Sequence, residues 1–324
     1  MKLKIEDSYY YRNAEFVSHK NEIVDRILSL ITQLDHNFKI IERVDKEIKR
    51  EGISSKELNT VIKKQLSSNF PGILSNSENE FEFLSYEEEY SFKHINPDYT
   101  GAFDFGFIDK RLHLYDCILY INSFLSKFIP ESYEYLVQEL PNKTPEIRMN
   151  VINDLNIVQN KHLQLQAVAL ESCFTFDLMS YKAILFDLND DIEKIFFKKY
   201  KSDRLITSKE YDDKKKQYKK LIKEFKKFID DNFSNQNTIS INKKFPLILG
   251  EIQFANWALA KSDIDKLEKV NDIRQVDLVV YITASKSLSE LISKQTVNFK
   301  TFVRTIESSP HIKYPVLVIG LGVE

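Results

Sequence analysis

The chain has 324 residues, 43% hydrophobic and 29% charged with a net charge of −2, enough for one large or two ordinary soluble domains. No run approaches the roughly 18 apolar residues of a membrane span, and the opening Met1-Lys2-Leu3-Lys4-Ile5-Glu6-Asp7 lacks the apolar stretch of a leader. Cys117 and Cys173 are far apart, the six histidines are scattered and no Gly-rich phosphate loop occurs. These features suit a cytoplasmic protein with reduced thiols and argue against a zinc enzyme or a P-loop nucleotide hydrolase.

In chain order, Ile23, Ile27, Leu30, Leu34, Phe38, Ile41, Val44 and Ile48 recur at steps of three and four, which predicts one long helix over 14–50 that stops at Gly52. Ser54 and Glu57 have capping-box spacing and open a shorter helix, ended by Asn69-Phe70-Pro71-Gly72. Phe81, Phe83 and Tyr86 alternate with glutamates, as strand or loop; Phe103, Phe105 and Phe107 alternate as in a hairpin turning near Asp109-Lys110. A helix over 115–128 follows, then one capped by Thr144-Pro145, with helical periodicity continuing to Tyr200.

Between Lys194 and Lys227 fourteen Lys or Arg meet five Asp or Glu, while Glu78 to Glu89 holds six Glu and no base. Tyr211, Tyr218, Leu221, Ile222, Phe225, Phe228 and Ile229 make an apolar stripe through the basic stretch. Lys215, Lys216, Lys219 and Lys220 are therefore either a solvated helix face or a cationic surface that follows a phosphate backbone. Strands are expected near 239–242, 247–254, 277–283 and 316–321, with a helix or loop to Val270 and a helix over 287–308. That order implies an α/β fold with a mixed central sheet flanked by helices, after a large, mostly helical N-terminal part.

The polar residues of the second of these strands stand out. In Phe245-Pro-Leu-Ile-Leu-Gly-Glu-Ile-Gln-Phe-Ala-Asn-Trp257, Glu251 and Gln253 interrupt an apolar run and, with a period of two, share a face opposite Ile252. A carboxylate and an amide on a buried strand need partners, which a metal ion bound to a phosphate ester would supply; an edge strand with a wet face is the alternative. Gly250 would allow close approach of backbone or phosphate.

Ile241-Asn242, followed nine residues later by Glu251-Ile-Gln-Phe-Ala-Asn-Trp257, resembles type II restriction endonucleases of the BglII kind. These form the branch of the PD-(D/E)XK nuclease superfamily that carries Gln where most members carry Lys. The strand Val276 to Thr283, the stretch Lys294 to Phe302 and Pro315 to Leu321 extend the likeness over about 238–322. The resemblance implies a restriction-endonuclease-like core over 201–324, with residues 1–200 serving dimer or DNA contacts. It also implies Mg²⁺-dependent hydrolysis of double-stranded DNA at a short symmetric site by a homodimer. Glu251, the Ile252 carbonyl and the residue at 242 would hold the metal, Gln253 would orient water or phosphate, and Lys294, Asn298, Lys300 and Arg304 would meet DNA. The family has Asp where this chain has Asn242, which offers a neutral oxygen only. That departure leaves three readings: a natural variant, a chain altered to bind DNA without cutting it, or a shifted register using Asp230 or Asp231. The first two make this an inactive or weakly cutting form, and the alternative function is a DNA-binding or scaffold protein that keeps the nuclease fold without cleavage.

Overall fold

A computed structural model of the chain describes residues 1–19, 21–45, 48–74, 84–92, 101–170, 175–200, 209–240, 245–255, 258–270, 276–292 and 296–324. The first half runs β1 (Leu3–Tyr11), α1 (Ala14–Ser18), α2 (Glu22–Thr32), β2 (Ile40–Asp45), β3 (Ile48–Ile53), α3 (Ser55–Leu74), β4 (Leu84–Glu88), β5 (Phe105–Asp109), α4 (Lys110–Glu139) and α5 (Pro145–Leu170). Then come β6 (Thr175–Asp177), α6 (Leu178–Ile192), α7 (Lys209–Phe233), β7 (Thr238–Ser240), β8 (Ile248–Gln253), α8 (Ala258–Val270), β9 (Leu278–Ala284), α9 (Lys286–Leu291), α10 (Phe299–Glu307) and β10 (Val316–Val323).

Six strands form a mixed sheet in the order β1-β10-β9-β8-β5-β4. Its centre, β10-β9-β8, is parallel and made of the most apolar runs; β1, β5 and β4 add antiparallel neighbours. Strands β8 and β9 are buried along their whole length, as parallel strands covered on both faces must be. One face buries Ile248, Ile252, Val280, Ile282, Leu317 and Ile319 with Ile27, Leu30 and Ile31 of α2 and Leu58, Ile62 and Leu66 of α3. On the other, Tyr281 stacks on Phe302 of α10 at 3.4 Å between ring centroids and donates a hydrogen bond to Asp263 of α8. The expected class, a mixed sheet flanked by helices, is the observed one.

The chain divides into two units, but not at residue 200. The first comprises Met1–Lys93, Asp98–Asp109 and Lys244–Glu324; the second comprises His94–Pro97 and Lys110–Lys243. The early segments join the C-terminal ones because the sheet recruits them: β1 pairs with β10, and β5 with β8. The second unit is thus inserted between two strands that are neighbours in the sheet. Its described parts are mainly helical, so the expected helical character of the N-terminal part is found chiefly over 110–200.

Several local readings give way to tertiary structure. The long helix over 14–50 is two short helices and a hairpin: Asn13 is left-handed, Asn21 caps α2 through its side chain, and β-branched Ile40, Ile41, Val44 and Ile48 sit in paired strands β2 and β3. Ser54 does cap Glu57, but α3 runs through Pro71-Gly72, carried by buried Phe70 against Phe107. There is no turn at Asp109-Lys110, because the chain passes from β5 straight into α4. The helix over 287–308 is two helices, broken before Asn298, whose side chain caps α10. The strand at 238–240 pairs with β6 in the second unit, not with β8.

Candidate active site

Glu251 and Gln253 lie on β8 as the alternation predicts: both are 7% exposed, on the face opposite Ile252, which packs into the core. Partners arrive from three other elements. The pairing of Phe105 with Gly250 brings Asp104, just before β5, opposite Glu251. Asp104 Oδ2 accepts the Ile252 N–H at 2.6 Å, and its Oδ1 is 2.5 Å from Lys63 Nζ of α3. From α8, Lys266 Nζ donates to Glu251 Oε2 at 2.6 Å and to the Ala102 carbonyl at 2.9 Å. It stands 3.7 Å from Asp263 Oδ1 and 4.8 Å from the Phe103 ring centre.

The Gln253 amide is fixed at both ends. Its Nε2 donates to Asp263 Oδ2 at 3.1 Å, and its Oε1 accepts the Ala255 N–H at 3.0 Å. The Tyr281 hydroxyl donates to the same Asp263 oxygen at 2.9 Å. Thr283 Oγ1 donates to the Gln253 carbonyl at 2.9 Å and ties this end of β8 to β9. Among the described residues, one amide hydrogen of Gln253 remains for a further partner.

Three carboxylates thus share a buried corner with two ammonium groups. Burial, with Asp104 and Asp263 nearby, pushes the Glu251 carboxyl far above the carboxylate range, against the pull of Lys266. Burial likewise raises Asp263 despite its hydrogen bonds from Gln253 and Tyr281. Burial works against a charged Lys63, but Asp104, Glu89 and Glu251 outweigh it and raise its pKa. The corner sets three carboxyl groups against two ammonium groups, and burial with mutual repulsion disfavours the ionised forms of Glu251 and Asp263.

That imbalance suits a hard divalent cation, which takes oxygen ligands and, for Mg²⁺, keeps several waters. Among the described residues no three His, Cys, Asp or Glu side chains form a ready cage; the adjacent strands offer the Asp104 and Glu251 carboxylates and main-chain oxygens. The donors fit Mg²⁺, with water completing its shell. Gly250 gives no opening to a phosphate: the Phe105 ring occupies the space where its side chain would be.

The other sequence candidates are dispersed. Asn242 and Lys294 lie outside the described residues. Asp230 and Asp231 are in α7 of the second unit. Lys216 and Lys220 are exposed beside Asp213 and Glu224, Lys219 pairs with Glu193 at 3.1 Å, and Lys215 stands over Phe197. Asn298 spends its side-chain oxygen on capping Thr301, while Lys300 and Arg304 are exposed on α10. Sequence reasoning missed Asp104, Asp263, Lys266 and Lys63. The signal for Asp104 was an acid set between alternating phenylalanines; Asp263 and Lys266 look like any charged pair on an amphipathic helix.

A family model described as restriction endonuclease BglII/BglIII matches residues 157–321. No significant match is found among the curated proteins or the solved structures. No described helix is long and apolar enough to cross a membrane.

Proposed function

This chain belongs to the BglII/BglIII restriction endonuclease family, and from that premise we propose that it is a type II enzyme hydrolysing both strands of double-stranded DNA at a short symmetric site, with Mg²⁺ as cofactor. The observation that carries the proposal is the pair Asp104 and Glu251, brought opposite each other where β5 pairs with β8, with burial and mutual repulsion holding the Glu251 carboxyl above the carboxylate range. Those two carboxylates, with the Ile252 carbonyl, would hold the ion. When bound, it supplies Lewis acidity toward phosphate oxygens and water. Gln253 orients a water or phosphate oxygen through its remaining amide hydrogen, and Asp263 keeps that amide in place. Gln253 accepts no proton, so the attacking water loses its proton to solvent or to the phosphate.

Asp104 bears on Asn242. With Asp104 as the second carboxylate, an amide at 242 does not disarm the site, and the protein as it stands should cut. The alternative, a DNA-binding or scaffold protein that keeps the fold without cleavage, draws its support from Asn242 alone. Lys215, Lys216, Lys219 and Lys220 on α7, with Lys294, Asn298, Lys300 and Arg304, are proposed to meet DNA. A homodimer would match a two-fold symmetric target. Exposed Tyr133, Ile152 and Leu163, beside the groove between α4 and α5, support self-association. On this reading the protein acts in the cytoplasm, where its DNA is.

The test is cleavage of mixed-sequence plasmid DNA with Mg²⁺ and with Mn²⁺, for the parent and for Glu251→Ala. We expect discrete fragments from the parent and a loss of about a thousandfold or more in the variant. Parental turnover by Glu251→Ala would remove Glu251 from the site. A parent that binds duplex DNA with both metals present and never cuts it would favour the alternative.

A further inference from the structure

Each carboxylate assigned to the metal already holds an ammonium group: Lys63 at 2.5 Å from Asp104, and Lys266 at 2.6 Å from Glu251. Lys266 is the more enclosed, its side chain 13% exposed and laid over the Phe103 ring. Two of its three protons go to Glu251 and Ala102, leaving one without a hydrogen bond among the described residues, since Asp263 Oδ1 is 3.7 Å away. A second cation at Glu251 Oε2 would stand within a few ångströms of this ammonium, in surroundings that screen charge poorly. Lys266 and a metal ion therefore cannot both occupy that oxygen.

We propose that Lys266 competes with the divalent cation for Glu251 and, once displaced, turns its ammonium toward the phosphodiester as a catalytic group. This rests on the nuclease reading of the site. The side chain of Gln253 is neutral and tied to Asp263 and Ala255, so it cannot supply positive charge. Lys266 projects from α8, which connects β8 to β9, and its contact with the Ala102 carbonyl holds the ammonium in the same corner when Glu251 is taken. The arrangement neutralises the free site and leaves a cation in reach of the phosphate in the loaded one, where negative charge grows during cleavage.

The experiment pairs calorimetric titration with Mg²⁺ alone, without DNA, and single-turnover cleavage of one duplex by the parent, Lys266→Met, Lys266→Arg and Glu251→Ala. Lys266→Met should bind Mg²⁺ about tenfold more tightly, because a competing charge is gone, yet cut about a hundredfold more slowly, because an electrostatic donor is lost. Lys266→Arg, which keeps the charge, should bind Mg²⁺ like the parent and recover most of the cutting. It serves alone if the Met variant does not fold. Lys266→Met affinity equal to or weaker than the parent's overturns the competition. Parental cutting by Lys266→Met, with Glu251→Ala inactive, overturns the role at the phosphate and leaves the nuclease reading standing; parental cutting by Glu251→Ala overturns that reading instead.

Discussion

The molecule concentrates charge in two places, and it treats them in opposite ways. On α7 the lysines are spread along a face that water reaches, several of them beside an acid or an aromatic ring of the same unit: Lys219 by Glu193, Lys216 by Asp213, Lys215 over Phe197. Such pairs cost little and contribute little, on the order of a kcal/mol or less. At the end of β8, Glu251, Asp263 and Asp104 meet Lys266 and Lys63 among buried side chains, where each charge is expensive unless compensated. A run of lysines is conspicuous in a sequence and inexpensive in a fold. A buried acid is inconspicuous and costly, so its presence points more strongly to chemistry.

The largest test of that contrast lies in the costly cluster. Asp104→Asn should slow cleavage by about two to three orders of magnitude, while Asn242→Asp should change it by less than about tenfold. Rates for both on one duplex, at saturating enzyme, decide between the two positions. A strong gain from Asn242→Asp, with Asp104→Asn harmless, would return the ligand to residue 242. The second test is of the inexpensive face. Binding to duplex DNA should weaken steeply with salt, and replacing Lys215, Lys216, Lys219 and Lys220 by Gln should lower the logarithmic slope by about two to four. An unchanged slope would put the DNA elsewhere on the surface.

Asp7 is an intermediate case and gives the smallest effect. The Ser285 hydroxyl and the Lys286 ammonium, outweighing burial, hold its carboxyl below the usual value. Because the folded pKa is the lower one, Asp7 stabilises the first unit in full above the unfolded carboxylate value, about 3.9. That contribution disappears as pH falls through the folded value. Asp7→Asn should lower the melting temperature by about a degree or two near neutrality, with parent and variant converging at the acid end. A constant difference across the acid range would deny that the ionised carboxylate matters.

What could be read in the sequence follows the same physics. The inner parallel strands are predominantly apolar, so β8, β9 and β10 could be found as runs, and the Glu251–Gln253 face that interrupts β8 followed from alternation. The caps at Asn21 and Asn298 override helical periodicity through single side-chain oxygens, which a count of apolar spacing does not weigh. Strand β1 is largely half-exposed and owes its existence to a partner more than three hundred residues away, so nothing local announces it. Asp104 and Glu251 are neighbours only because the sheet closes across the whole second unit. The nine-residue spacing points to residue 242 for the second acid; the proposed one, Asp104, lies on the far side of an insertion.

That insertion also sets an order of events during synthesis. Apart from four residues, the second unit is one continuous stretch, and it can fold as soon as it has been made. The sheet cannot: β5 waits for β8, and β1 waits for β10, some three hundred residues further on. Pairings so distant in sequence form late, since the chain between them must be ordered first. Lys63 and Asp104 are made early but meet Glu251 and Lys266 only after the intervening helices are complete. A nascent or prematurely ended chain that lacks β8 therefore holds no complete acid cluster. Under the proposed function, the capacity to cut DNA arrives in one late step.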